Sequence, residues 1–416
     1  MTLAPPPLPI PPSYRRVFSY PGFIPLVTGV ALARTAQQMA AVCLVLFTLQ
    51  RHGSAGLAGL VVLLLLGPGL LISPLAGALL DRHGRVRLIT LDYILAGAAM
   101  ALVVLLDQAG SLPVVLLCVL VGAGSLTNPL SNSGTRSLFP LVLPRDLWDR
   151  ANAVDSGGYV VAMVVGPALA GAVSALAAPV WAVAATAAVF ALAALVVVRA
   201  PEPAVEGSGR GLLVDARDGV LYLVRSRSLR GLAACLCVFN LGSGAVIVAL
   251  PLLVLGRLGG GGGEVGLLFA LQGAGGLAGA IAAGAFDSDG RERAHLAVGM
   301  AVSALAMLAI AGRPTLLVVA LAMTIFGACN GPIDIGLFGL RQRRTHLAWV
   351  GRVFAVSMAF NFSGYPLGSA IAGAVAGRSA ELSFALGSVA ALGGAAIAWW
   401  GIPARWEDPD QEPAAA

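Results

Sequence analysis

Of 416 residues, 58% are apolar and only 11% charged, whereas a soluble protein of this size keeps about 25% charged residues on its surface. The apolar surplus exceeds what an aqueous core can bury and must face hydrocarbon, which excludes a water-soluble protein. The formal charge of +6 rests on 26 basic side chains, all Arg, that punctuate apolar runs instead of gathering on one polar face, which excludes a nucleic-acid surface.

The chain opens with a Pro-rich stretch, Met1 to Pro12, that lacks the basic start of a signal peptide. A short cytosolic tail over 1–20 is expected, with the first apolar run serving as an uncleaved insertion signal. A helix needs about 20 mostly apolar residues to cross about 30 Å of hydrocarbon. Twelve stretches qualify, hereafter spans one to twelve: 23–48, 56–79, 88–106, 112–134, 154–176, 179–198, 231–255, 264–285, 295–312, 315–339, 353–376 and 382–401. They are continuously apolar and do not alternate at period two, so a closed barrel is excluded.

Polar residues inside the spans are the informative minority, because lipid makes them costly. Arg34 falls near the middle of span one, and Gln37 and Gln38, three and four residues on, share its helical face. Between spans two and three, Gly77 removes a side chain and Gly84 permits a tight turn. Asp81 and Arg85 flank that turn, with Arg87 just beyond, where an ion pair or helix-end contact can hold two halves together. Asp92 and Asp155 each fall in the first turn of their spans, three and five, where the helix dipole is sufficient explanation. Asn128 and Asn132 share a face of span four. In span five, Gly166-Pro167 interrupts the helix, and with Gly171 lets a neighbouring backbone approach.

After span six a polar interval, 199–230, starts with Pro201, Pro203 and a Gly207-Ser208-Gly209 segment. It then turns amphipathic through Leu212, Val220, Leu221 and Leu223, which predicts a flexible strap followed by an interfacial cytosolic helix. Beyond it, Asn240 marks span seven, Asn330 and Asp334 share a face of span ten, and Asn361 marks span eleven. These polar residues either line a cavity or hydrogen-bond between helices; the cavity is the preferred reading.

The two sides of the strap repeat each other. Asp81, Gly84, Arg85 and Arg87 recur as Asp287, Gly290, Arg291 and Arg293, 206 positions later. Gly124 precedes Pro129 by five in span four, as Gly327 precedes Pro332 in span ten. The expected fold is therefore an all-α polytopic membrane protein. Its 12 transmembrane helices form two pseudo-symmetric six-helix bundles, 21–198 and 231–402, with a cytosolic tail over 403–416. With the amino terminus in the cytosol, 21 Arg lie on that side and four, Arg51, Arg257, Arg313 and Arg378, on the other, so both termini are expected in the cytosol. Trp181, Trp399 and Trp400 sit near span ends, as interfacial aromatics do.

Five Cys lie within apolar runs and four His are scattered one per loop, so no metal or cofactor site is indicated. No Gly-rich loop followed by Lys and Ser or Thr is present, which argues against ATP hydrolysis by this chain.

Twelve spans as six plus six, the central loop and Asp81-Arg82-His83-Gly84-Arg85 together resemble the major facilitator superfamily. Gly77 to Arg87 matches its signature loop, and Gly166-Pro167-Ala168-Leu169-Ala170-Gly171 is similar to the Gly-Pro signature of its exporters. The stretches Arg136 to Ala153 and Arg341 to Arg352 resemble the efflux and secretion group that includes enterobactin and macrolide exporters. The resemblance implies that spans one, four, seven and ten line the cavity. It also implies that Asp81 meets the start of span eleven near Gly351 to Phe354. It further implies secondary active export of a small amphipathic compound (a drug, siderophore or secondary metabolite) by alternating access, without enzymatic activity. Proton antiport is the coupling it suggests, with Asp334 as the carboxylate and Arg34 as its charge partner. Span four, however, lacks the Arg typical of proton-coupled drug antiporters ahead of Arg136. A monomer in the plasma (inner) membrane is expected. The alternatives are uptake of a metabolite or sugar, and a non-transporting sensor or scaffold; aromatics at 6% favour export over sugar uptake.

Overall fold

The computed structural model describes residues 14–144, 147–202, 212–284, 290–345 and 350–404. Among them the secondary structure is helical throughout, and eleven helices are long and apolar enough to cross a membrane. Span eleven, Val350–Ala376, stands outside that group; it is 27 residues long and carries Ser357, Asn361, Ser363 and Ser369 along its length.

The helices overrun the apolar stretches that predict them. Span one is Phe23–His52, span two Ala55–His83, span three Arg85–Gln108 and span five Trp148–Leu176. Their ends carry Arg, His, Asp and Asn, so hydropathy falls where the helix does not stop. Spans four and ten are each broken in two, as Val114–Ser125 with Asn128–Val142 and as Leu316–Ala328 with Asn330–Arg343. Spans seven and twelve close on a π turn, Leu253–Arg257 and Ile397–Gly401.

Both halves pack by one scheme. Span one lies against five and six, as span seven lies against eleven and twelve. Three packs on six and two on four, as nine packs on twelve and eight on ten. The halves meet along two seams, span two with eleven and span five with eight. At the end of the bundle away from the termini, the seams bring backbone onto backbone. A methyl on Gly59 would lie 2.5 Å from the Ser369 carbonyl oxygen and 2.9 Å from the Gly373 Cα. A methyl on Gly171 would lie 2.5 Å from the Gly262 carbonyl oxygen and from the Gly266 Cα.

Proline accounts for the breaks in spans four and ten, whereas span five, expected to be interrupted at Gly166-Pro167, runs as one helix through Pro167. Pro129, Pro167 and Pro332 lack the N–H that would bond the carbonyls of Ser125, Met163 and Ala328, one turn earlier. No water is available in hydrocarbon, so these oxygens must be accommodated by protein. Each abuts a glycine on a neighbouring helix. A methyl at Gly69 would sit 2.5 Å from the Ser125 oxygen, one at Gly273 2.9 Å from the Met163 oxygen, and one at Gly279 would overlap the Ala328 oxygen. A side chain at any of the three would push the helices apart.

At the end that carries the termini, the chain leaving span six (Pro179–Val197) returns to the turn between spans two and three. The Glu202 carboxylate accepts from the backbone N–H groups of Arg85 at 2.7 Å, Val86 at 3.2 Å and Arg87 at 2.9 Å. These donors have no partner within their own helix, and a carboxylate there also opposes the positive end of the dipole. Gly84 (φ 92°) and its repeat counterpart Gly290 (φ 70°) both adopt backbone that disfavours a side chain. At Gly84 a Cβ would stand 3.0 Å from the Glu202 carboxyl carbon, so the glycine serves close approach as well as turning.

The helix Leu212–Arg225 buries Leu223 against Val356 of span eleven, with Leu229 and Ala233 of span seven (Arg227–Leu252). Two of the four Arg at the opposite end, Arg51 and Arg257, pair with Asp107 and Glu381. Residues 1–13, 203–211, 285–289 and 405–416, which include Asp287 and most of both predicted tails, lie outside the described residues.

Gly279→Ala is expected to lower the melting temperature in detergent, by overpacking of about 1–3 kcal/mol. Gly157→Ala, with nothing within 4 Å, should not, and equal melting of the two variants would contradict the carbonyl seating. Glu202→Ala should destabilise by about 1 kcal/mol, the usual loss for a helix cap; an unchanged melting temperature would show that the cap contributes nothing.

Candidate functional site

Span one carries its polar face where span five crosses it. The Arg34 guanidinium donates to the Asp155 backbone carbonyl at 2.9 Å and to its carboxylate at 3.0 Å, with a second carboxylate contact at 2.8 Å. Both side chains are nearly buried, at 12% and 8% exposure. Arg34 also lies over the Tyr159 ring, 5.5 Å from its centre. This corrects two expectations. Span five begins at Trp148, so Asp155 stands two turns inside the helix and is held by Arg34, not by a helix end. Arg34 pairs with Asp155 and not with Asp334, because span five is its packing neighbour and span ten belongs to the other lobe.

The second lobe repeats this contact in neutral form. Asn240 and Asn361 stand at the same 206-residue displacement from Arg34 and Asp155, and both pairs are separated by 121 residues. Asn240 Nδ2 donates to the Asn361 backbone carbonyl at 2.8 Å, as Arg34 donates to that of Asp155. With its amide oriented to satisfy both neighbours, buried Asn361 donates to the Ser357 carbonyl at 3.0 Å and accepts from Arg341 at 2.7 Å.

Within the first lobe, Gln37 Nε2 donates to Asn128 Oδ1 at 3.2 Å, and Asn132 Nδ2 donates to the same oxygen at 2.8 Å. Gln37 and Asn128 are half-buried and Asn132 is exposed, so the amides run from the lobe interior to its surface. Gln38 lies at the contact with span five; a methyl on Gly166 would sit 2.6 Å from its Cβ. Gly166 therefore faces span one while Gly171 faces span eight, and Pro167 separates the two contacts.

In span ten, Asn330 is half-buried beside the break and Asp334 is exposed. Asp334 shares its face with Arg341, seven residues on, which reaches Asn361 of span eleven. Tyr159 and Tyr365 lie near enough across the lobe boundary to influence each other electrostatically. Spans one, four, five, seven, ten and eleven thus carry the buried and half-buried amides, the Arg34–Asp155 pair and the exposed acid Asp334. No group of His, Cys, Asp or Glu suited to a metal occurs among the described residues.

The side chains at Gly77 and Asp81, and those at 351–355, lie outside the described residues, so the expected contact of Asp81 with span eleven is not described. Sequence reasoning missed several partners. Arg341, Arg343 and Arg344 count there only as topological charge, yet Arg343 meets Glu292 at 2.5 Å and Arg344 meets Ser228 at 2.9 Å and the Pro403 carbonyl at 2.8 Å. Asp155 carried a usable signal, since its distance from Arg34 equals that between Asn240 and Asn361.

Residues 33–415 match a family model described as transmembrane secretion effector. The chain is 38% identical over 408 residues to an uncharacterised MFS-type transporter of Sinorhizobium fredii, covering 97% of this chain and 99% of that one. It is 26% identical to the multidrug efflux pump Tap of Mycobacterium tuberculosis, covering 85% and 86%. In fold it is similar to the inward-open xylose transporter of E. coli, with a TM-score of 0.71 at 12% identity over 92% and 96% of the chains.

Arg34→Asn or Asp155→Asn alone leaves a buried charge unpaired and should cost about 3–5 kcal/mol. The double variant, which installs the Asn–Asn pair of the second lobe, should recover most of that. A double-mutant cycle on melting in detergent reads the difference; purely additive losses would dismiss the pair.

Proposed function

Since the chain belongs to the major facilitator superfamily, we propose that it is a secondary active exporter of small amphipathic organic compounds, lipophilic cations foremost. The exposed Asp334 carries this reading. It is an exposed acid within span ten, on the helical face it shares with Asn330 and Arg341, and such a carboxylate suits an apolar cation of variable shape. The relative named as a multidrug efflux pump supports export, and the missing phosphate-binding loop supports a gradient as the energy source.

The Arg-rich end, where the termini lie, is the cytosolic one in this reading, and the membrane is the bacterial inner membrane. The seams at Gly59 and Gly171 then close the outer side, and the cavity loads from the cytosol. Rocking of the lobes about the seams exchanges access while the site stays near the midplane. Spans one to six and seven to twelve are the moving units. Arg34–Asp155 and Asn240–Asn361 hold the first and fifth helices of each together, so each lobe turns as one body.

Ethidium, a lipophilic cation, serves as the probe in proteoliposomes. The protein should carry it across the bilayer, and Asp334→Asn should reduce the flux about tenfold, equivalent to about 1.4 kcal/mol of lost attraction. Flux equal to the wild type in Asp334→Asn would sink the cation assignment.

A further inference from the structure

Asp92 sits on span three, seven residues beyond the helix start at Arg85, and is 2% exposed. It is not at the helix mouth, as the apolar boundary suggests, but two turns inside. It borders a cavity of about 50 Å³ with Gln37 of span one, Leu65 of span two, Ser125 and Asn128 of span four and Phe190 of span six. One water needs about 10–15 Å³ of such space, so the cavity has room for more than one, and four of these residues are polar.

The charges around Asp92 are few. Span one brings Arg34, which is committed to Asp155 of span five. Span four brings the neutral hydroxyls of Thr127 and Ser131, and span three its own Tyr93. Spans two and six bring apolar side chains to the cavity. Among the described residues no cation pairs with Asp92. An ionised carboxylate sealed in a bilayer without a partner costs several kcal/mol, whereas a carboxylic acid needs only an acceptor for its proton and a donor for its carbonyl. Hydroxyls, amides and cavity water supply both.

We propose that Asp92 is a proton-binding site of this protein, occupied in this conformation and served by the Gln37–Asn128–Asn132 line. Gln37 and Asn128 border the cavity, and Asn132 ends the line at the exposed surface. Water ordered along these amides takes the proton from Asp92 and leaves the carboxylate; the reverse transfer reloads it from the other side of the membrane. One proton bound and one released per cycle match the export of one monovalent cation without net charge movement. The purpose of the site rests on the export reading, but its test does not.

Infrared difference spectra of the reconstituted protein, taken between acid and alkaline pH, need no substrate. The wild type should show a protonated-carboxyl band that disappears as pH rises. Asp92→Asn should lack the band, Asp334→Asn should keep it, and Asp92→Glu should displace it without removing it. A folding defect in the Asn variant thus leaves the assignment readable from the Glu variant. A band unchanged by both Asp92 variants, or lost in Asp334→Asn instead, overturns the proposal. Should wild-type liposomes move no ethidium while the band follows Asp92, the substrate assignment fails and the proton site stands.

Discussion

A carbonyl oxygen released from its helix inside a bilayer has no water to bond, and the surrounding protein must take it in. Three prolines create such oxygens here, and three glycines on adjacent helices receive them: Ser125 at Gly69, Met163 at Gly273 and Ala328 at Gly279. The glycines leave room for these oxygens at the breaks in spans four and ten and at Pro167 within span five. Two of the three pairs are within a lobe, and Met163–Gly273 joins the lobes. The same small residues make the seams at Gly59 and Gly171, so one constraint shapes each lobe and sets where the lobes touch.

The lobes share a skeleton but not its charges. At one 206-residue displacement, Arg34 and Asp155 become Asn240 and Asn361 with the backbone contact retained. The contact of the first and fifth helices is thereby ionic in the first lobe, where Asp92 and the amide line also lie, and neutral in the second. The second lobe carries an exposed acid, Asp334, in span ten. On the proposed reading Asp92 takes the proton and Asp334 the cationic solute, one in each lobe, so a conformational change that moves the lobes alters both.

Hydropathy is a property of local sequence, so the twelve spans, their pairing into halves and the repeat were legible without coordinates. The helix ends were not, because polar residues continue a helix into the headgroups. That error of a turn or two placed Asp92 and Asp155 at helix mouths and hid their burial. Glu202 could not be found this way. Its role comes from the chain returning to span three after span six, and nothing local in Pro201-Glu202-Pro203 reports that contact. The partner of Arg34 was open to inference, since the repeat carries the same spacing twice.

In the proposed export cycle, the seam between spans five and eight must part for solute to cross. Ala175 and Gly263 face each other there, with 3.4 Å between the Ala175 Cβ and the position of a methyl on Gly263. Disulfides hold their Cβ atoms about 3.5–4.5 Å apart, so Ala175→Cys with Gly263→Cys should cross-link readily. The measurement is ethidium flux in proteoliposomes before oxidation, after oxidation and after reduction. Flux should be lost fully on oxidation and recover on reduction. Undiminished flux through fully cross-linked protein would contradict a seam that parts.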